Sequence, residues 1–142
     1  MGNVEPSIIE RSVEKTNIWL KQLCEELGVE DRQEAYRALR AVLHALRDRM
    51  TVDVAAKLGA QLPTLVRGIY YEEWDPSRTP LRIRDLDTFL EHVRAETRTD
   101  REPGASEAVT AVMHVLRANL SPGLLDEVLA VMPEPVEALL VA

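Results

Sequence analysis

From Ala35 to Met50 the sequence AYRALRAVLHALRDRM places Ala35, Leu39, Val42, Leu43, Leu46 and Met50 on one face of a helix that turns about 100° per residue. Ala38, Ala41 and Ala45 form a second row of small residues beside the first. A helix that is apolar on two sides must be packed on two sides, so this segment is predicted to be central. The remaining wedge carries Arg37, Arg40, His44, Arg47 and Asp48, a polar window on an otherwise enclosed helix.

The same spacing predicts further helices on both sides. Ser7 to Glu10 reads as a capping box, in which the serine hydroxyl and the glutamate carboxylate satisfy orphan backbone donors. The helix it opens would turn Ile9, Val13, Thr16, Leu20, Leu23, Cys24 and Leu27 inward and stop at Gly28, the left-handed position beyond a last turn. Asp31 with Glu34 opens the central helix. Thr51 caps a third, with Val54, Ala55, Leu58 and Leu62 inward, which Pro63 ends. A fourth covers about Thr64 to Tyr71.

Residues 72–83, with EEWDPSRTP at their start, lack a helical period and form a connector. A fifth helix is expected from about Arg84 to Arg98, with Leu86, Phe89, Leu90 and Val93 inward, and the polar stretch Thr97 to Gly104 is a second connector. A helix from Ala105 to Asn119 follows, then one opened by Ser121 and Pro122 that carries Leu125, Val128, Leu129 and Met132. Pro133 and Pro135 break it, and Val136, Leu139 and Leu140 make a last short helix. Strand signals are nearly absent.

The segment ASEAVTAVMHVLRANL, Ala105 to Leu120, echoes the central helix seventy positions later. At that offset Ala41 falls on Ala111, His44 on His114, Arg47 on Arg117, Thr51 on Ser121 and Pro63 on Pro133, while Trp19 falls on Phe89. Apolar rows, a cap and a helix breaker coincide together, which points to duplication. The expected fold is a single all-α domain over residues 1–142. It is a helical bundle of two tandem, pseudo-symmetric four-helix repeats, about 7–71 and 84–141, packed through the alanine faces of their central helices.

Composition narrows the function. With 24 acidic against 17 basic residues the net charge is −7, and no long basic run exists, so no nucleic-acid partner is expected. No apolar run reaches the roughly 20 residues needed to cross a bilayer. The start of the chain lacks the basic and apolar blocks of a signal peptide, so no membrane association and a cytoplasmic location are expected. The lone Cys24 cannot form an internal disulfide and reads as a buried small hydrophobe.

Several motifs together resemble a known bacterial family. These are Trp19-Leu20-Lys21, the run Leu39 to Arg49, Gly59-Ala60-Gln61-Leu62-Pro63, and Arg67-Gly68-Ile69-Tyr70-Tyr71-Glu72 with Trp74-Asp75-Pro76. The chain is similar through nearly its whole length to the domain of unknown function 2267 family, with Glu73 where that pattern has a glycine. The resemblance implies an all-helical, duplicated fold and brings no activity or catalytic residue with it.

Among candidate sites, His44 and His114, each with an arginine three residues on (Arg47 and Arg117), would suit a metal or an acid–base pair only if they converged. No local metal-ligand spacing accompanies them, so neither metal nor cofactor is expected. Arg40, His44 and Arg47 share one wedge, which either grips an anion or forms a solvated polar face paired with Glu34 and Asp48. Tyr70, Tyr71 and Trp74 are half of the six aromatics. Gly68 among them reads as a point of close helix approach. Tyr70 is expected to point inward, while Tyr71, Trp74 and neighbouring Asp75 suit either recognition or a staple that holds the connector down.

No phosphate loop, nucleophile elbow or paired-carboxylate motif is present, so catalysis is not expected. The leading expectation is a non-catalytic interaction or regulatory module acting on another protein or on its own copy. The alternative is a small-ligand or anion-binding protein with a pocket between the repeats, near Arg40, His44 and Arg47.

Overall fold

Helix boundaries fall where capping residues put them. In the computed structural model, which describes residues 7–97 and 104–142, Ser7 accepts a hydrogen bond from the Glu10 amide (3.1 Å) and opens α1, Ile8–Leu27. Gly28 ends that helix at φ +70°, where a Cβ would be strained. Asp31 accepts from the Gln33 amide and opens α2, Arg32–Arg49. Thr51 and Ser121 do the same for α3, Val52–Gln61, and α7, Pro122–Ala130. Between them lie α4, Thr64–Tyr71, α5, Leu86–Thr97, and α6, Ala105–Asn119, and α8, Glu134–Leu140, closes the series. No strand occurs among the described residues.

The sequence-predicted bounds of α4 and α6 coincide with these. Helix α5 begins two residues later than expected, because Asp85 rather than Arg84 supplies the cap, accepting from the Thr88 amide at 2.7 Å. Of the second expected connector, Thr97 to Gly104, residues 98–103 lie outside the described residues.

Helix α2 sits at the centre, against α1, α4, α5 and α6, and α6 in turn meets α1, α5 and α8. Both alanine rows are buried: Ala38, Ala41 and Ala45 on α2, and Ala105, Ala108 and Ala111 on α6. Leu39, Val42, Leu43, Leu46 and Met50 are removed from solvent on the other face of α2. Helices α3 and α7 pack on each other at one end of the bundle.

The first turns of helix α1 depart from the expected orientation. Leu23 is buried and Leu20, Cys24 and Leu27 pack half-buried against the core, as expected, but Ile9 (73% exposed) and Val13 lie in solvent while Ser12 and Trp19 are buried. The cause is tertiary. Helix α4 follows Pro63 and has no capping side chain of its own, and the Ser12 hydroxyl accepts from the Leu65 amide (2.9 Å) in its place. That bond draws Ser12 inward and turns Val13 out. Cys24 is half-buried rather than buried, with burial raising its thiol above the ordinary range.

The reading of Gly68 also changes. A Cβ on Gly68 would meet open space, so no close approach occurs there. It occurs at Gly59, where a Cβ would lie 2.2 Å from the Tyr71 hydroxyl oxygen. The ring of Tyr71 thus lies over α3.

The enclosed alanine row makes one measurable demand. Ala41→Leu should overpack α2 and lower the unfolding free energy by about 1–3 kcal/mol in urea titration. An unmoved midpoint would mean that no close contact exists at Ala41.

Candidate functional site

The polar wedge of α2 is not an open window. His44 is 1% and Arg47 3% exposed, and both ring nitrogens of His44 and the Nε and Nη1 atoms of Arg47 meet oxygen atoms of another segment or of α2 itself. Arg47 Nη1 donates to the backbone oxygens of Tyr70 (2.6 Å) and Glu72 (2.7 Å) at the C-terminal end of α4. Its Nε donates to Asp48 Oδ1 at 2.8 Å. A cation on the last carbonyls of a helix complements their partial negative charge, so Arg47 fixes the end of α4 to α2.

Asp48 carries the attachment onward. Its Oδ2 lies 3.2 Å from His92 Nε2 on α5, and its backbone oxygen accepts from the Leu81 amide at 2.7 Å. Burial raises the Asp48 carboxyl, but hydrogen bonds from His92 and Arg47 outweigh it and hold the group below its usual range. Arg49 Nε donates to the Ile83 oxygen at 2.7 Å. Together these bonds lay the connector along α2.

His44 joins three elements. Nε2 donates to the Ile69 oxygen (2.7 Å), and Nδ1 lies 3.1 Å from Glu96 Oε1 on α5. Both ring nitrogens meet oxygen atoms, so the imidazole bridges the end of α4 and the carboxylate of Glu96. Arg40 also binds Glu96, through Nη1, and reaches Glu72 Oε1 through Nε at 3.3 Å.

His114 has a set of its own: Nδ1 lies 2.9 Å from Glu26 Oε2 on α1 and Nε2 3.1 Å from the Ala142 backbone oxygen. Arg117 donates to the Leu140 oxygen at the end of α8. The hydrogen bond to Glu26, then that to Ala142, raises His114 above the ordinary imidazole range. The two histidines therefore share no partner among the described residues. Nor is any group of three or more described His, Cys, Asp or Glu side chains arranged to hold a metal.

These motifs belong to a recognisable family. Residues 16–139 match the family described as an uncharacterized conserved protein, DUF2267. The chain belongs to that family. No curated protein matches its sequence.

In this DUF2267 chain the aromatic cluster divides as its side chains are placed. Tyr70 is fully buried and donates to the Ala55 oxygen at 2.7 Å, and burial pushes its phenol well above the ordinary range. Its ring meets Tyr71 edge-on at 4.9 Å, and Tyr71 meets Trp74 at 5.2 Å. Tyr71 and Trp74 are half-buried against the core. The Trp74 Nε1 atom is buried and has no hydrogen-bond partner among the described residues. Exposed Asp75 caps the 3-10 turn Pro76–Arg78, accepting from the Ser77 amide at 3.1 Å. Glu73 adopts φ +60°, a conformation that glycine enters without strain.

A groove of about 620 Å³ lies elsewhere, between α1 and the α3–α4 turn, with Asn119 of α6 at one edge. None of the residues singled out from the sequence as a site lines it. Arg67, on its wall, donates to the oxygens of Gly59 (2.8 Å), Ala60 (3.2 Å) and Leu62 (3.0 Å) at the C-terminal end of α3.

Sequence reasoning missed Glu96, Glu26, His92, Ser12 and Arg67. For the two glutamates a signal existed. Glu26 and Glu96 are seventy positions apart, as are His44 and His114. The other three bind backbone groups or a residue of another helix, which no linear spacing reports.

Two consequences are measurable. Arg47→Met should leave Asp48 and two carbonyls without their donor and cost about 3–5 kcal/mol, whereas Arg40→Met, partly in solvent, should cost about 1 kcal/mol or less. Urea unfolding of the two variants checks the order. Because folding raises His114, its contribution is full below the unfolded imidazole value of about 6.5 and is lost as pH rises through the folded one. Between pH 6 and pH 8.5 the wild type should lose melting temperature relative to His114→Gln, and parallel pH profiles would count against the Glu26–His114 bond.

Proposed function

We propose that this chain is a non-catalytic helical interaction module, built by duplication of a four-helix unit and acting in the cytoplasm on another protein or a second copy of itself. Duplication is supported by bonds that pair across the offset of seventy. His44 meets Glu96 while His114 meets Glu26, Lys57 pairs with Glu127, and Arg47 and Arg117 reach Tyr70 and Leu140. In each case exchanging every residue for the one seventy positions away, forward or back, turns one pair into the other, and Lys57–Glu127 into itself. Helix α1 of one unit lies against α6, and α5 lies against α2, so the units clasp each other through their first and second helices.

The observation that carries the interaction reading is a contrast. His44, Arg40 and Arg47 are committed to internal acceptors, while Ile8, Ile9, Val13 and Ile18 on α1 and Leu65 on α4 stand in solvent. Ile8 and Ile18 line one groove while Ile9 and Val13 stand on another side of α1, and exposed apolar side chains that share a groove mark contact sites. No helix among the described residues is long and apolar enough to cross a membrane. The second reading, a small-ligand binder, is favoured by the groove beside α1, away from the wedge where the pocket is expected from sequence.

Thermal-shift screening against anions, metals and metabolites separates the two, because a ligand of the native state alone raises its melting temperature. The module should show no saturable rise, and a saturable one moves the assignment to ligand binding. The aromatic cluster is tested beside it. Tyr70→Ala should cost about 3–5 kcal/mol and half-buried Trp74→Ala clearly less. Equal losses would make Trp74 a staple with no share in recognition.

A further inference from the structure

The connector carries a positive strip formed by Arg78, Arg82 and Arg84. The three fall within seven residues, all are exposed, and none of their side chains has an ion pair or hydrogen-bond partner among the described residues. In a chain with 24 acidic and 17 basic residues, cations gathered without a carboxylate run against the overall charge. The carboxylates nearest in sequence are used locally. Asp75 accepts from the Ser77 amide, and Asp85 accepts from the amide (2.7 Å) and the hydroxyl (3.0 Å) of Thr88 to cap α5. Asp87 is exposed on the first turn of α5 and bonds to none of the three arginines. Cations at the start of a helix oppose its dipole, so α5 gains nothing from Arg82 and Arg84.

The strip is held from beneath. Leu81 packs half-buried on the core and Ile83 is buried, and they alternate with Arg82 and Arg84, which therefore leave the outer side of the chain together. The Leu81 amide donates to the Asp48 oxygen and Arg49 Nε donates to the Ile83 oxygen, each at 2.7 Å. Residues two apart have Cα atoms no more than about 7 Å from each other. An extended acidic chain with carboxylates at every second position has a repeat of about 6–7 Å, so it can offer one carboxylate to each guanidinium through paired N–H donors. Because the backbone of the strip is already bonded to α2, little further ordering is needed on binding.

We propose that the outer face of the connector, at Arg78, Arg82 and Arg84, binds an extended acidic segment of a partner protein whose alternate Asp or Glu side chains face Arg82 and Arg84. The assignment rests on the interaction-module reading and names the chemistry of its partner. A single-stranded nucleic acid fits less well, because residues 78–84 include no aromatic ring on which a base could stack. An anionic bilayer fits less well, because Leu81 and Ile83 turn to the core and not outward.

The test uses the full chain, labelled with ¹⁵N, and two ten-residue peptides, one alternating glutamate with serine and the other glutamine with serine. The glutamate peptide should give saturable amide shifts at Arg82, Ile83, Arg84 and Asp85. The glutamine peptide should give none at about tenfold higher concentration. Arg82→Glu should weaken the glutamate peptide at least about tenfold, whereas Lys21→Glu, the same change of charge at an exposed position of α1, should weaken it less than about twofold. Both variants should melt with the wild type, since neither side chain has a partner to lose. Equal weakening by the two variants, equal binding of the two peptides, or no binding by either would overturn the acidic strip and leave the interaction module standing. Tighter binding of phosphatidylglycerol vesicles or of an oligothymidine that Arg82→Glu abolishes would replace the partner protein with a membrane or a nucleic acid. A dimer in light scattering that Arg82→Glu dissolves would replace it with a second copy. Inorganic phosphate that saturates the strip at lower concentration than the peptide would overturn the module reading itself.

Discussion

Arg47 is a guanidinium almost wholly withdrawn from water in the middle of the central helix. Desolvating a charge costs several kcal/mol, and the cost is met only when each donor has an acceptor in good geometry. Tyr70 and Glu72 supply backbone oxygens and Asp48 supplies a carboxylate. The arrangement dictates much around it. The end of α4 must come to α2, the phenol of Tyr70 must enter the core toward Ala55, and Asp48 is left to hold His92 and the amide of Leu81. An apolar residue in its place would keep α2 buried and release the connector.

The histidines do related work on a larger scale. His44 draws α5 and α4 onto α2, and His114 draws α1 and the end of the chain onto α6. Each joins segments far apart in sequence, and each faces two acceptors. Such pairs contribute less to net stability than apolar burial does, since both partners give up water. Their effect is directional: they admit one register between helices whose contact faces are otherwise rows of interchangeable alanine, valine and leucine.

In helix α1 a tertiary bond competes with an apolar row, and the bond prevails. The Leu65 amide at the start of α4 has no acceptor in its own helix, and Ser12 is the group that reaches it. Burying that amide unpaired would cost about 1–3 kcal/mol, comparable with exposing a valine. The first turns of the helix accordingly leave Val13 and Ile9 outward, and Arg67 performs the corresponding service for the end of α3.

The all-helical fold, the caps at Ser7, Asp31, Thr51 and Ser121, and the central place of α2 were all legible in the order of residues, because a cap and an apolar period act within a few positions of chain. The inward Tyr70 was legible because at the offset of seventy it falls on apolar Leu140. What lay beyond reach were relations between distant segments: Glu96 closing the polar wedge, Tyr71 filling the space that Gly59 leaves open, and Ser12 bonding to the Leu65 amide. Periodicity states which residues share a face of a helix. It does not state where that face points, which is decided by the hydrogen bonds and volumes that neighbouring helices bring to it.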